Sequence, residues 1–360
     1  MTNKTIIIAE AGVNHNGDIN LAYKLIKEAS LAGADYIKFQ SFKAETLVTL
    51  NAEKAAYQKE NTSDSSANQY QMLKKLELSH QMHKDIYAAC EKEGIKFLST
   101  PFDIDSLNYL VKNFPMDFIK LGSGEITNAP LLLEAAKTKK NIILSTGMSN
   151  LQEIEDALSV IGFGYYAKEN EAPSIENFKK FYKKPEVKKL LKEKLSLLHC
   201  TTEYPTPDQD INLRAMQTIK NNFNLNCGYS DHTKGIEVSL YAVAMGANII
   251  EKHFTLDKSM QGPDHKASLD VKELKQLVKE IRRAEIILGS AKKEPATSEI
   301  KNINIARKGL KAKTDIKIND IFTKENLTTK RPNSGLSPFL YWDLLSKKAQ
   351  TNYKKDEDIG

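Results

Sequence analysis

Short apolar runs recur along the chain at intervals of a few dozen residues. They are Ile6-Ile7-Ile8, Tyr36-Ile37-Lys38-Phe39, Ile95-Lys96-Phe97-Leu98, Phe118-Ile119-Lys120-Leu121, Ile142-Ile143-Leu144, Leu195-Ser196-Leu197-Leu198, Asn226-Cys227-Gly228-Tyr229 and Asn248-Ile249-Ile250-Glu251. Runs of this length predict buried strands. Between many of them apolar residues repeat at three and four, as over 21–31 and 271–287, which predicts amphipathic helices. Gly33, Gly94 and Gly246 each follow a helical run and precede a strand, where a helix end favours positive φ. Eight strands alternating with helices predict an α/β fold, a (β/α)8 TIM barrel. The main rival is a doubly wound open sheet. Its Gly-rich dinucleotide turn is missing, because Gly122-Ser123-Gly124 follows a strand without the third spaced Gly.

Two regions break the alternation. Residues 57–78 are polar, with a Ser/Asn-rich stretch at 61–69, and read as a long loop beyond the second strand. Residues 162–194 are lysine-rich, contain Pro173 and Pro185, and read as an exposed insertion with a solvated helical face rather than a nucleic-acid arm. The pattern changes again after Gly289. We expect a catalytic barrel over 1–289, a linker over 290–300 and a small C-terminal domain over 301–360, with short β segments at 303–311, 316–321 and 327–330.

Composition narrows the class. With 360 residues, 41% hydrophobic and 27% charged, the chain is neither collagen-like, low-complexity nor wholly disordered. A net charge of +6 is mild for this length and suits small anionic substrates as well as nucleic acid. Cys90, Cys200 and Cys227 are too few and scattered for a disulfide framework, which favours a reducing cytoplasm. No apolar run approaches the roughly 18 residues of a membrane span, and no secretory signal is expected.

Active sites of (β/α)8 barrels sit just past the C-terminal strand ends. Here nearly every such end carries polar or ionisable groups, more than stability alone would require. Lys38 and Lys120 lie inside strand patterns, where an ammonium either snorkels to solvent or meets an anion. Two of them, with Thr100, Ser123, Ser145 and Ser230 at neighbouring ends, favour a phosphate or carboxylate pocket, to which the backbone of 122–124 would add donors. His232 and His253 end the last two strands, as satisfied polar groups or as a pair of metal ligands with open positions. A closed structural zinc site is not expected, since neither Cys-x-x-Cys nor His-Glu-x-x-His occurs.

The strand-end strings together resemble the sialic acid (nonulosonic acid) synthase family. They are Ala9-Glu10-Ala11-Gly12-Val13-Asn14-His15-Asn16-Gly17, Lys38-Phe39-Gln40, Ser99-Thr100-Pro101-Phe102, Gly122-Ser123-Gly124-Glu125 and Ser145-Thr146-Gly147-Met148. His199-Cys200-Thr201-Thr202-Glu203-Tyr204-Pro205, Ser230-Asp231-His232-Thr233, Glu251-Lys252-His253-Phe254-Thr255, Gly262-Pro263-Asp264-His265 and Thr329-Lys330-Arg331-Pro332-Asn333-Ser334-Gly335 continue them over nearly the whole chain. The resemblance implies a TIM barrel followed by an antifreeze-like (SAF, β-clip) domain, in a domain-swapped homodimer. It implies condensation of phosphoenolpyruvate with an N-acetylmannosamine-type aldose to give N-acetylneuraminate or a close analogue plus phosphate. The alternative acceptor is 2,4-diacetamido-2,4,6-trideoxymannose, giving N,N'-diacetyllegionaminate.

By the same resemblance His232 and His253 would hold a divalent metal ion, Mn2+ or Mg2+. Lys38, Thr100, Lys120, Ser123, Ser145, Thr202 and Ser230 would hold phosphoenolpyruvate. Gln40, Glu125, Tyr204 and Asp264 would face the sugar, and Arg331 would reach a partner's barrel to bind the N-acetyl group. Glu10 would act as base or as electrostatic stabiliser at the developing cation. Two other readings remain open. One is a barrel condensing phosphoenolpyruvate with a sugar phosphate, against which the Arg331 segment argues. The other is a catalytically silent carbohydrate-binding protein, against which Glu10, His232 and His253 argue together.

Overall fold

The computed structural model describes residues 4–62, 68–168 and 170–360, and the chain divides into two compact units, Met1–Gly289 and Ser290–Gly360. In the first unit the apolar runs form eight parallel strands. They are β1 (Ile6–Gly12), β2 (Tyr36–Ser41), β3 (Lys96–Pro101), β4 (Phe118–Leu121), β5 (Asn141–Ser145), β6 (Leu195–His199), β7 (Asn226–Asp231) and β8 (Ile249–His253). The ladder runs β3-β2-β1-β8-β7-β6-β5-β4, so the first and last strands pair and the sheet curls into a nearly closed barrel. Among the described residues no ladder joins β3 to β4, which pack side by side at the seam.

Period-2 alternation builds the interior in layers. Ile8, Tyr36, Leu98, Ile143, Leu198 and Ile249 form an apolar floor, with Phe118 packed against it. At Gly228 that floor has no room for a side chain, since a Cβ would lie 2.4 Å from Ile249 O and 2.7 Å from Leu198 Cδ2. Two residues further along each strand, the same face presents Glu10, Lys38, Thr100, Lys120, Ser145, Ser230 and Glu251, all buried. The intervening residues, such as Ile7, Ile37, Phe97, Ile119 and Ile250, face outward into the larger core shared with the helices.

Those helices start and stop where the sequence provides caps. Asp18 caps the helix Ile19–Ala32 by accepting from Asn20 N, and Gly33, at φ 81°, closes it with its N–H on Ala29 O and Ser30 O. The last barrel helix, Val271–Leu288, begins with an Asp270/Glu273 capping box. Its Arg282 reaches Asp35 Oδ2 at 2.6 Å and Thr5 O at 2.7 Å, tying the helix to the chain before β1 and β2. Among the described residues no helix is long and apolar enough to cross a membrane.

Several expectations need correction. Residues 57–78 are not one long loop: helices Ala56–Asn61 and Gln69–Leu76 occupy its two ends, and Met72 and Leu76 pack with Val13 and Phe42. Residues 63–67, inside the Ser/Asn-rich stretch, lie outside the described residues. The segment 162–194 is not simply an exposed insertion. It completes the helix Leu151–Tyr166 and adds helices Ile175–Tyr182 and Pro185–Lys194, which bury Phe181, Val187 and Leu191. Gly162 belongs to that core, because a Cβ there would lie 2.5 Å from Val187 Cγ1. Its lysines occupy the solvated faces: Lys179, Lys180, Lys189 and Lys192 are exposed.

In the second unit the residues 303–311 do not form one strand. The helix Thr297–Ala306, which starts inside the segment read as linker, takes the first part, and β9 (Gly309–Ala312) follows it. β9 pairs antiparallel with β10 (Leu327–Lys330). Residues 316–321 contribute only isolated bridges, Ile316 to Tyr353 and Ile321 to Lys348. Leu310, Ala312, Ile316, Phe322, Leu327, Ala349, Tyr353 and Ile359 form this unit's own small core.

Candidate active site

The polar layer above the apolar floor opens into a cavity of about 150 Å³ at the C-terminal end of the barrel. Glu10, Lys38, Gln40, Thr100, Lys120, Ser123, Ser145, Thr202, Tyr204, Ser230, His232 and His253 all line it. Residues dispersed over some 240 positions of sequence are thus brought to one place by the register of parallel strands. Four further residues line it: Phe102 and Glu251, which the sequence reading does not single out, and Gly122 and Gly124, whose backbone it expects to add donors. For Glu251 the signal was present, since it shares the inward face with His253 two residues on.

Two ammonium groups and two carboxylates meet at the cavity base. Lys38 Nζ lies 3.0 Å from Glu10 Oε2 and 3.6 Å from Glu251 Oε2, and donates to Thr100 Oγ1 at 3.0 Å. Lys120 Nζ donates to Ser145 Oγ at 2.9 Å and stands 3.4 Å from Glu251 Oε1. Glu251 Oε1 also accepts from Ser230 Oγ at 3.0 Å. Burial pushes the Glu10 carboxyl up to about 7 against the pull of Lys38, with the Glu251 charge adding to the rise. Burial acts on Glu251 in the same direction, but Lys120 and Lys38 outweigh it and hold this carboxyl at about 2. The two carboxyls are therefore driven apart, one poised to exchange a proton and one fixed as a counter-ion.

Ser123 accepts from Gly147 N at 2.9 Å and lies 3.0 Å from Cys200 Sγ. Burial raises the Cys200 thiol, which suits a packed, inert side chain. Thr202 Oγ1 is buried with no hydrogen-bond partner among the described residues, leaving it to a ligand.

The two imidazoles face one another at 5.7 Å between ring centroids. His232 Nδ1 donates to Thr201 O at 2.7 Å, which leaves the Nε2 lone pair toward the cavity, with Tyr204 Oη at 3.2 Å. His253 Nδ1 is buried without a hydrogen-bond partner among the described residues and has Asp264 Oδ2 at 3.8 Å. Burial lowers His232 to about 4 and His253 well below its usual value, so both rings are neutral near pH 7. Burial raises Asp264 to about 6. Among the described residues no cluster of three or more His, Cys, Asp or Glu side chains is arranged around a metal position. Two neutral nitrogens, one fixed in tautomer and one unpartnered, nevertheless suit a divalent cation as ligands.

A family model described as the NeuB family matches residues 25–293. The chain is also 51% identical over 356 residues, spanning 99% of both chains, to the N,N'-diacetyllegionaminic acid synthase of Campylobacter jejuni subsp. jejuni. The chain belongs to the NeuB family. It is 44% identical over 346 residues to the Legionella pneumophila protein of the same name, covering 96% of this chain and 90% of that one. Among solved structures, the N-acetylneuraminic acid (sialic acid) synthetase of Leptospira borgpetersenii, in complex with citrate, aligns with a TM-score of 0.68 at 39% identity. It covers 84% of this chain and 91% of that one.

Three expected site residues stand outside the lining of this NeuB family cavity. Glu125 ends the 3-10 turn after β4 and accepts from Asn128 Nδ2 at 2.6 Å. Asp264 stands behind His253, on a loop whose Ser268 Oγ both donates to Asp264 O at 2.7 Å and accepts from Asn14 Nδ2 at 2.9 Å. Arg331 is exposed in the second unit, just after β10.

Proposed function

We propose that the chain condenses phosphoenolpyruvate with 2,4-diacetamido-2,4,6-trideoxymannose, giving N,N'-diacetyllegionaminate and phosphate. The nearly full-length identity to the Campylobacter jejuni enzyme carries this choice of sugar. At the coarser level the chain is a nonulosonic acid synthase, acting on a phosphoenolpyruvate-type substrate and a sugar.

The site's chemistry agrees with this reading. Lys38 and Lys120, backed by Thr100, Ser123, Ser145, Thr202 and Ser230, would seat the phosphate and carboxylate of phosphoenolpyruvate. Glu251, ion-paired with both lysines, holds the two ammonium groups in place. The new bond joins C3 of phosphoenolpyruvate to the aldehyde carbon of the sugar, and positive charge develops at C2. His232 and His253 would hold a divalent ion, Mn2+ or Mg2+, which when bound supplies Lewis-acid polarisation of the aldehyde. Glu10 would take the proton of the water that adds at C2, its raised affinity for protons suiting that exchange near neutral pH. C–O cleavage then releases phosphate, whose charge the lysines neutralise. Gln40, Tyr204 and Asp264 would stand on the sugar side, with Glu125 further out.

The same proposal takes the second unit as an SAF-type domain, the enzyme as a cytoplasmic homodimer, and Arg331 of the partner subunit as the group completing each sugar site. A second acceptor, N-acetylmannosamine, is favoured by the likeness to the Leptospira structure. Phosphate release measured with both aldoses side by side decides between them: turnover is expected to favour the diacetamido sugar. Preference for N-acetylmannosamine would reverse the assignment, and release with neither would refute the reading.

A further inference from the structure

A second pair of buried charges lies on the same two strands, one residue before each histidine and facing away from the cavity. Asp231 and Lys252 are register partners across β7 and β8. Lys252 Nζ meets Asp231 Oδ2 at 2.9 Å, with side chains 2% and 0% exposed. Neither lines the cavity, because alternation turns Ser230, His232, Glu251 and His253 inward and these two outward. Both carboxylate oxygens and the ammonium have further partners. Asp231 Oδ1 accepts from Thr233 N at 2.8 Å and from Thr233 Oγ1 at 2.7 Å, and Oδ2 accepts from Ser239 Oγ at 2.6 Å. Lys252 Nζ donates onward to Thr233 O at 2.8 Å.

The arrangement brackets His232. Lys252 grips the side chain of the residue before it and the carbonyl of the residue after it, while being covalently next to His253. Fold stability alone explains such a pair poorly, since desolvation cancels most of the Coulombic gain and apolar residues of the same volume commonly do as well. Fixing geometry is its better-attested use. We propose that Asp231 and Lys252 are positioning residues that set the spacing and orientation of His232 and His253 for a divalent cation. This rests on the metal-binding reading of those histidines and extends it to groups that touch neither cation nor substrate.

The test is calorimetric titration of Mn2+ into the chelator-stripped full chain, alongside thermal unfolding of each variant without metal. The parent chain is expected to bind one equivalent. Lys252→Met is expected to raise the dissociation constant about tenfold or more, the usual scale for groups that orient metal ligands. Arg282→Met, which removes an ion pair to Asp35 in the same unit, serves as control. It is expected to lower the unfolding temperature with Mn2+ affinity unchanged. A folded Lys252→Met chain with a dissociation constant within twofold of the parent overturns the proposal, as does an equal weakening by Arg282→Met. If Lys252→Met does not fold, Ser239→Ala, which removes one donor from Asp231, must weaken Mn2+ at least threefold, and unchanged affinity overturns the proposal. A parent chain that takes up no Mn2+ removes the metal reading itself, and this inference with it.

Discussion

Replacing Lys120 by Met keeps the length of the side chain and removes its charge. The ammonium is fully buried, 2.9 Å from Ser145 Oγ and 3.4 Å from Glu251 Oε1, so no solvent charge substitutes for it. The empty barrel tolerates the change, because Glu251 keeps Lys38 at 3.6 Å and the Ser230 hydroxyl at 3.0 Å. The cost falls on the anionic substrate, which enters a cradle with one ammonium instead of two and an excess negative charge behind it. Two unit charges 4 Å apart interact by about 4 kcal/mol at an effective dielectric of 20. Truncating one member of a buried charged pair costs about 2–5 kcal/mol. At 1.4 kcal/mol per decade, about 3 kcal/mol raises the KM for phosphoenolpyruvate roughly a hundredfold. The KM for the aldose should stay within about threefold, since Lys120 is bonded to Ser145 and Glu251, on the phosphoenolpyruvate side of the proposed site. Phosphate release at saturating co-substrate measures both. Equal rises in the two constants, or a collapse of kcat with both unchanged, would refute an anion-binding role for Lys120.

Four other outcomes are expected. Exhaustive chelation, or His232→Ala or His253→Ala, should abolish most phosphate release, with Mn2+ or Mg2+ restoring only the chelated parent; full turnover with no metal in the protein would refute this. His83 is buried neutral, donating from Nδ1 to Ser79 O and facing Ser41 Oγ at 2.7 Å, and burial lowers it from 6.5 to about 4. Its contribution is thus complete above pH 6.5 and is lost as pH falls toward 4, by roughly 3 kcal/mol in all, so His83→Gln should flatten the acid side of the unfolding profile. An Ala at Gly147 would place its Cβ 2.6 Å from Thr202 Oγ1 and 2.8 Å from Ser123 Oγ. At an overpacking cost of about 1–3 kcal/mol, it should raise the KM for phosphoenolpyruvate in a chain that still folds, as circular dichroism and phosphate release would show. Co-expressing Arg331→Ala with Glu10→Ala should restore activity that neither chain has alone, whereas folded, dimeric and inactive mixtures would remove Arg331 from the partner's site.

The barrel and most of its cavity were legible because parallel strands buried on both faces write themselves as apolar runs, and charges inside such runs stand out. Lys38 and Lys120 are the clearest cases. Glu251 was harder, because its neighbours Lys252 and His253 make the strand end look merely polar, and only the inward alternation separates it from Lys252. The segment 162–194 misled because its lysines outnumber the residues that fix it: Phe181, Val187 and Leu191 are spaced for burial within a composition that reads as solvent-exposed. Gln69–Leu76 was hidden in the same way, its two anchors Met72 and Leu76 standing among glutamines and lysines. In the second unit, Ile303 and Ile305 alternate as in a strand, yet a helix starting at Thr297 claims them.

The seam between β3 and β4 divides the buried polar layer. Lys38 and Thr100 belong to the β2–β3 side, and Lys120 and Ser145 to the β4–β5 side. Elsewhere around the barrel, widening the gap between neighbouring strands means stretching backbone hydrogen bonds. Across this seam no ladder bond is at stake among the described residues, and side chains close it: Asp117, just before β4, accepts from Tyr36 Oη and from Lys96 Nζ at 2.7 Å each, and Glu251 pairs with both Lys38 and Lys120. The two lysines therefore stand on opposite sides of a joint that, among the described residues, is closed by side chains alone. A small change in the Lys38-to-Lys120 span would stretch the ion pairs to Glu251 and, among the described residues, none of the ladder.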